Sequence, residues 1–533
     1  MSSANQSHTV FEVEQVLQPV PDEARTNDVS GQFWIWCGAN IAPINWILGA
    51  LGIGLGLGLR DTLIVLVLGN LIGMALFGLF VLMGQRTGVT GMVLSRAAFG
   101  RRGAYVPAGI QATLAVGWCA VNTWIILDLV MALLGKVGLV DPAAENHLAK
   151  ILVATVIMGT QVAISWRGYR TIAAFERWTV PPTIVVLVAM SVVAWFFLDV
   201  DWGYAGPAGQ VLTGSERIVV MSGVMTAIGI GWGITWFTYA ADYSRFVSRA
   251  MPRRKLYAAS VLGQFVPVVW LGVLGATLAT KNGSVDPGAL IVDNFGALAI
   301  PVLLLVVHGP IATNILNIYT FSVAAQALDV KIKRNTLSLV VGAFAMVAVV
   351  FFIYAGDLAA VLDTWLIGIV AWIAAWAGIM LVHYFRFARR DIDAQVLFDP
   401  VGSRRLPDVN WATMFSFVVG IVATWMFLYG LVPPLQGFAA RALGGLDLSW
   451  LAGGLTSAAV YAVVGRRPFE RYAALRRAES RVDGAVPAPS PDAGSLTPAA
   501  QSDLAAASST APSSATSSTA HTSSTPAEIG ADS

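Results

Sequence analysis

The sequence is poor in charge and nearly free of cysteine. Charged residues make up 12% of the chain and hydrophobic residues 56%, whereas about a quarter of the residues in an average soluble domain are charged. A soluble core cannot bury so much apolar sequence. The 2 cysteines, Cys37 and Cys119, fall within apolar segments, which indicates small buried side chains and neither a disulfide nor a metal pair. The scarcity of charge therefore predicts a membrane protein.

The motifs of common enzymes and of nucleic-acid-binding proteins are also missing. No glycine loop is followed by Lys-Ser or Lys-Thr, no His and Cys residues have metal-ligand spacing, and no Ser-His-Asp arrangement stands out. The formal net charge is only +2, and no basic run alternates with aromatic residues. We therefore expect a protein that is not an enzyme and that has no catalytic residues, metal, cofactor or nucleic-acid partner.

Apolar runs recur along the chain, each near the 20 or so residues that a hydrocarbon core of about 30 Å requires of a helix. They predict an all-α polytopic protein of about twelve transmembrane helices, near residues 33–58, 62–83, 106–135, 150–166, 172–198, 218–241, 256–279, 298–328, 336–355, 358–385, 411–433 and 449–465. Lys and Arg collect in alternate connecting loops. This bias predicts a multi-pass protein of a bacterial inner membrane with both termini in the cytoplasm.

Two predicted spans are interrupted by Gly and Pro, the first (WIWCGANIAPINWILGALG) and the sixth (SGVMTAIGIGWGITWFTYAADYSRF). With five spans per unit they would begin the two halves of an inverted repeat, and helices broken at matching places point to a binding site near the midplane. The alternative is that these glycines only allow close helix packing.

The predicted organisation follows from these spans. It comprises a cytoplasmic N-terminal segment 1–32, two five-helix repeats 33–198 and 218–385, two peripheral helices within 411–465, and a disordered cytoplasmic tail 480–533 rich in Ala, Ser, Thr and Pro.

The third span contains GWCAVNTW, in which Trp118 and Asn122 are four residues apart and share one helical face. An indole plane beside an amide suits a flat heteroaromatic ring, because the amide can both donate and accept hydrogen bonds at the ring edge. The alternative is an interfacial tryptophan and an amide that bonds a neighbouring helix. Both residues lie mid-span, which favours binding.

The eighth span places Thr313, Asn314 and Asn317 within about one turn. Polar residues at membrane depth generally face the bundle interior and mark a solute pathway, although a structural hydrogen-bonded cluster is the alternative. Trp232 and Trp236 of the sixth span would supply a second aromatic wall, or would only pack. These neutral residues predict a transporter of an uncharged solute; a membrane receptor and a channel are the rival hypotheses.

Four segments resemble the purine-cytosine permease branch of the nucleobase-cation-symport-1 family: GANIAPINWILGALG, RAAFGRRGAYVPAGIQATLAVGWCAVNTW, WFTYAADYSRF and TNILNIYTFSVAAQAL. The resemblance covers roughly residues 25–475. It implies a LeuT-type fold of two inverted five-helix repeats plus two peripheral helices, working by alternating access as a monomer. The implied solute is cytosine, a purine or a related planar heterocycle, moved with a cation; an allantoin, hydantoin or uracil carrier is the alternative within the family.

The resemblance also implies roles for individual residues. Trp118 matches the family's stacking tryptophan, and Trp236 is the expected sixth-span aromatic, with Trp232 as the alternative. The expected solute-binding set is Gly38, Trp118, Asn122, Trp236, Asn314 and Asn317. Leu316 replaces the proline of the usual family pattern, which leaves the solute less closely defined.

The cation site of sodium-dependent relatives would fall on Gly38, Ile41, Gly309, Ala312 and Thr313. Ala312 has no hydroxyl where those relatives have a serine, so one oxygen ligand of the expected set is missing. The resemblance therefore favours H⁺ over Na⁺ as the coupling ion.

Overall fold

The computed structural model describes residues 18–141, 146–167, 169–330, 332–355 and 358–485, and within these ranges the chain is predominantly helical. The predicted N-terminal segment up to residue 17 and the predicted tail from residue 486 lie outside the described residues. By its internal contacts the chain divides into two units, Met1–Leu475 and Arg476–Ser533. All the features below belong to the first unit.

Helices occupy each of the first five predicted spans, with two short helices between the second and the third. They are α1 (Val29–Asn40), α2 (Ile44–Gly54), α3 (Leu59–Thr87), α4 (Gly91–Leu94), α5 (Arg96–Phe99), α6 (Tyr105–Lys136), α7 (His147–Arg167) and α8 (Tyr169–Phe197).

The next five predicted spans are helical as well, but more of them are broken. The stretch from the sixth to the tenth span contains α9 (Gly214–Val224), a π-helix (Met225–Ile230), α10 (Gly231–Thr235), α11 (Ala240–Ser244), α12 (Arg253–Ala279), α13 (Pro287–Phe295), α14 (Ala299–Val306), α15 (His308–Ala327), α16 (Arg334–Ala355) and α17 (Leu358–Leu381). Helix α13 lies between the seventh and eighth predicted spans and was not predicted. The last part of the first unit holds α18 (Trp411–Met426), α19 (Phe438–Ala442), α20 (Ser449–Val464) and the start of α21 (Arg466–Ala485).

Among the described residues, 8 helices are long and apolar enough to cross a membrane, or 9 if α1 and α2, bent by 53° at their junction, form one span. Three shorter apolar helical segments, of 10–17 residues, are also present: Pro181–Phe197, which is the second part of α8, Trp411–Met426 and Ser449–Val464. The prediction of an all-α polytopic membrane protein is therefore confirmed.

The eighth predicted span, 298–328, is not one continuous helix, because α14 ends at Val306 and α15 begins at His308. Pro310 explains the break: it has no N–H to bond the carbonyl four residues earlier, that of Val306, and its ring crowds that carbonyl. The proline thus separates a first apolar segment, α14, from the segment that carries Thr313, Asn314 and Asn317.

Glycines bring several helices into backbone contact. A Cβ atom placed on Gly69 of α3 would lie 2.6 Å from the Cα atom of Gly229 in the π-helix, and one on Gly49 of α2 would lie 1.8 Å from the carbonyl oxygen of Gly272 in α12. No side chain fits at either place. Small residues of this kind let membrane helices pack without intervening side chains, and here they join α3 to the sixth span and α2 to α12.

A charged cluster lies where α5 meets the end of α15. The Arg96 side chain is fully buried and donates hydrogen bonds to the carbonyl oxygens of Ala327 (2.9 Å) and Leu397 (3.2 Å). It also pairs with the Asp329 carboxylate at 3.4 Å. Burial, together with the nearby charge of Arg101, lowers the pKa of Arg96 to about 10, which leaves it protonated at neutral pH. Arg96 therefore ties the α4–α5 segment to two distant parts of the chain.

Asp329 is the centre of this cluster. It accepts hydrogen bonds from Arg101 at 2.8 Å and from the hydroxyl of Tyr105, and its backbone is left-handed with a φ of 60°. Burial by itself raises the pKa of the carboxyl, but the hydrogen bonds from Arg101 and Tyr105 and the charges of Arg101 and Arg96 outweigh burial and hold that pKa below its ordinary value. The carboxylate is thus fixed in its ionised form.

Candidate solute-binding site

A cavity with about 350 Å³ of empty space lies where four of the predicted spans meet. Its lining comes from the first, third, sixth and eighth spans and consists of Ala39, Ile44, Trp118, Asn122, Trp232, Thr235, Trp236, Tyr239, Thr313 and Asn317. The lining contains no charged residue.

The break in the first span lies beside this cavity. Helix α1 ends at Asn40 and α2 begins at Ile44. The Asn40 amide donates to the carbonyl oxygen of Trp36 at 2.8 Å, and its oxygen accepts the indole N–H of Trp232 at 3.2 Å. The broken ends of the first and sixth spans are therefore held together by a side chain at the break itself.

The sixth span is broken between Thr235, where α10 ends, and Ala240, where α11 begins. Trp236 and Tyr239 lie in this interval, and both line the cavity. The π-helix one turn earlier is a second irregularity of a type that is frequent at functional sites. The interrupted backbone that the sequence predicts is present in both the first and the sixth span.

Tryptophan rings form one side of the cavity. Trp118 and Trp232 meet edge to face, with ring centroids 5.5 Å apart and an interplanar angle of 87°. Trp236 meets Trp232 at 6.4 Å and Tyr239 at 5.4 Å. The indole nitrogen of Trp236 has no hydrogen-bond partner among the described residues. Both sixth-span tryptophans thus line the cavity: Trp232 donates a hydrogen bond to the first span, whereas Trp236 meets the first-span Trp36 edge to face, with ring centroids 5.8 Å apart.

Three asparagines from the third and eighth spans are joined directly. The side-chain nitrogen of Asn122 donates to the Asn314 oxygen at 3.1 Å, and that of Asn317 donates to the same oxygen at 3.3 Å. Asn122 and Asn317 line the cavity, whereas Asn314 is fully buried behind them and is not part of the lining. Asn314 therefore lies behind the residues that a solute in the cavity would contact.

Two residues that the sequence did not single out complete this network. The Asn314 nitrogen faces the carbonyl oxygen of Cys119 (3.0 Å), the hydroxyl of Thr123 (3.1 Å) and the side-chain oxygen of Gln161 (3.1 Å). The hydroxyl of Thr123 donates to the same Gln161 oxygen at 3.1 Å. Gln161 is a lone amide in the middle of the apolar run of α7, and that isolation is the signal by which it could have been found.

The residues expected to hold a cation lie near the break of the first span. A Cβ atom on Gly309 would lie 3.1 Å from the carbonyl oxygen of Ile41, and the Thr313 hydroxyl donates to the Gly309 carbonyl at 3.2 Å. Gly38 lies on α1, where a Cβ atom would meet open space. The side chain of Ala312 lies outside the described residues.

A multi-pass helical bundle whose two broken helices border a cavity is the architecture of a secondary membrane transporter. The solved structure of Mhp1, described as a nucleobase-cation-symport-1 family transporter in a closed conformation with bromovinylhydantoin bound, has the same fold: the TM-score is 0.68 at 17% identity, covering 85% of this chain and 95% of Mhp1. The expected fold of two inverted five-helix repeats plus two peripheral helices is thus confirmed.

The family follows from the sequence comparisons. Residues 19–453 match the family model described as "Permease for cytosine/purines, uracil, thiamine, allantoin", so the chain belongs to that permease family, as the resemblance indicated. It is similar to YxlA of Bacillus subtilis (strain 168), provisionally named a purine-cytosine permease, with 24% identity over 463 residues that cover 84% of this chain and 95% of YxlA. It is also similar to the purine-cytosine permease FCY2 of Saccharomyces cerevisiae, with 28% identity over 333 residues that cover 58% of this chain and 59% of FCY2.

Proposed function

We propose that this permease imports an uncharged planar heterocycle, such as cytosine or a purine, by cation symport with alternating access. The observation that carries the proposal is the cavity itself, in which tryptophan faces and asparagine amides meet beside two broken helices. Aromatic faces accept a flat ring, and amides bond its polar edge. The names of YxlA and FCY2 support the same class of solute.

The absence of charge from the cavity lining supports a neutral solute. A carboxylate or ammonium group in the cavity would have no oppositely charged side chain among the ten lining residues. Leaving such a charge unpaired in an environment of low dielectric is costly. A heterocycle that carries only amide-like polar groups has no such penalty.

We further propose that the coupling ion is H⁺ and not Na⁺. Sodium requires several hard oxygen ligands, and Ala312 offers no hydroxyl in the segment that supplies them in sodium-dependent relatives. The protein would act as a monomer in the bacterial cytoplasmic membrane with both termini inside, as the distribution of Lys and Arg predicts.

Uptake by whole cells tests these proposals. A transport-deficient host that expresses the full chain is given labelled cytosine, adenine, hypoxanthine, uracil, allantoin or hydantoin, with and without a protonophore, in sodium or potassium buffer. We expect saturable uptake of at least one heterocycle that the protonophore abolishes and that does not require sodium. Non-saturable flux would indicate a channel, and no uptake of any of the six would reject the transport proposal.

A carrier of allantoin, hydantoin or uracil is the second candidate, because the family model also names uracil and allantoin and Mhp1 holds a hydantoin in the same fold. Competition separates the two candidates. Excess unlabelled cytosine or hypoxanthine should suppress uptake if the first is right, and excess allantoin or hydantoin should do so if the second is.

A further inference from the structure

The direction in which the cavity amides point decides which solutes can bind. An asparagine side chain offers an acceptor on one side and a donor on the other, and rotation by half a turn exchanges them. The orientation must therefore be argued from a neighbour whose own polarity is fixed. In this network that neighbour is the backbone carbonyl of Cys119, which can only accept.

The Cys119 carbonyl fixes the first amide. It lies 3.0 Å from one side of the Asn314 amide, so that side has to be the nitrogen. The oxygen of Asn314 consequently faces Asn122 and Asn317, each of which must present its own nitrogen, at 3.1 and 3.3 Å. One carbonyl of the main chain thus sets the polarity of three amides in succession.

Gln161 supports the same orientation from α7. Its side chain is fully buried, and its oxygen accepts from both Asn314 and Thr123, at 3.1 Å in each case. If Asn314 turned over, its oxygen would face two acceptors, the Cys119 carbonyl and the Gln161 oxygen. Gln161 can itself turn over, so it reinforces this orientation by accepting from Asn314, while the Cys119 carbonyl is the group that opposes the reverse.

The outcome at the cavity is an unused acceptor. The side-chain nitrogen of Asn122 already donates to Asn314. The side-chain oxygen of Asn122 is buried without a hydrogen-bond partner among the described residues. A buried acceptor without a donor is costly, and a ligand that brings the donor recovers that cost.

We propose that Asn314 and Gln161 are positioning residues that hold the Asn122 oxygen available to the solute, so that the site selects cyclic amides and ureides that present an N–H at this edge. The inference rests on the proposed function and deepens it. Asn314 and Gln161 act through Asn122 and do not touch the solute.

Substituted solutes test the selection. The heterocycle of the uptake panel with the highest rate is competed with its singly N-methylated analogues and, as a control of equal bulk, with a C-methylated analogue that keeps every N–H. We expect at least one N-methyl analogue to compete about tenfold or more weakly than the parent, while the C-methyl analogue competes within a few-fold. If every N-methyl analogue competes as well as its parent, the selection is refuted although transport stands; if no heterocycle is taken up, the proposed function fails and this inference fails with it.

Two substitutions test the positioning role. Gln161→Met has a similar volume but only a weakly accepting sulfur, and Gln161→Glu keeps the accepting oxygen while its ionisable carboxyl group replaces the NH₂ group, which has no partner among the described residues. We expect Gln161→Met to raise KM and to reduce the discrimination between parent and N-methyl analogue several-fold, and Gln161→Glu to restore that discrimination. A purely structural role would lower membrane abundance but leave the discrimination ratio unchanged, and an unchanged ratio in Gln161→Met would overturn the proposal.

Discussion

Two of the buried polar clusters among the described residues are built from different chemistry. The cluster behind the cavity consists of amides and one hydroxyl, with no charge, and it leaves the Asn122 oxygen unused. The cluster at the α5–α15 junction consists of arginines and a carboxylate bonded to one another and to backbone carbonyls. A charged side chain near the bilayer centre costs roughly 2.5–3.5 kcal/mol on scales from translocon insertion, which give the lowest values. This cost explains why the charged cluster lies in connecting segments and the neutral amides lie within the spans.

The comparison assigns a separate task to each cluster. The neutral cluster has a free acceptor and should affect transport far more than stability. The charged cluster uses its groups to join distant segments and should affect stability first. Four predictions test this division, in order of decreasing effect.

Replacing Asn122 with alanine should give the largest effect. The change removes the free acceptor, and sites that hydrogen-bond a solute N–H discriminate strongly against its loss. We expect uptake to fall about a hundredfold or more, with a moderate fall in melting temperature because the hydrogen bond from Asn122 to Asn314 is lost as well. Asn335→Ala, at an exposed position of α16, is the matched control and should transport normally. Equal uptake by Asn122→Ala and the parent would remove Asn122 from the site.

Arg96→Met should chiefly destabilise the protein. It leaves the carbonyls of Ala327 and Leu397 without their donor and Asp329 with one arginine fewer, and an unsatisfied buried acceptor costs about 1–3 kcal/mol. Thermal unfolding in detergent should show a clearly lower melting temperature. Arg102→Met removes an exposed charge and should change stability by less than about 0.5 kcal/mol. Similar melting temperatures for the two variants would contradict the assigned role of the charged cluster.

Substitution by phenylalanine should affect stability at one of the two sixth-span tryptophans and KM at the other. Trp232→Phe deprives the Asn40 oxygen of its donor and should cost about 1–3 kcal/mol of stability. Trp236→Phe removes an N–H that bonds none of the described residues, so stability should be retained while KM rises. Melting curves and uptake kinetics of both variants provide the measurement, and a larger loss of stability in Trp236→Phe would reverse the assignment.

Asp329→Asn should have a smaller, pH-dependent effect. Asparagine tolerates the left-handed backbone as aspartate does, so the change mainly removes the charge. Because the pKa of Asp329 is lowered in the folded protein, the carboxylate contributes stability at neutral pH and loses that contribution as the pH falls below about 4. The variant should thus melt below the parent at pH 7, and the gap should narrow in acid. A constant gap from pH 7 to about pH 3.5 would show that Asp329 acts through shape alone.

The sequence was sufficient to predict the spans, the all-α membrane class of the protein and the two interrupted helices, because the length of apolar runs and breaks at Gly or Pro are local properties. It also brought Trp118 and Asn122 onto one face, because helical spacing fixes that relation. It could not show that Asn317 lines the cavity while Asn314 lies behind it, since that depends on how α15 is rotated against α6. Gln161 and the carbonyl of Cys119 were missed for a similar reason: their partners are distant in sequence, and a backbone carbonyl has no sequence signal.

The glycine contact between α3 and the sixth span restricts how these helices can move during a transport cycle. Sliding α3 by one turn, about 5.4 Å, would bring Val65 to the place of Gly69 or, in the other direction, Phe77 to the place of Gly73. The backbone of the sixth span is already within van der Waals distance at both places, so neither side chain has room. This packing opposes a change of register, and we therefore expect α3 to move together with the sixth span.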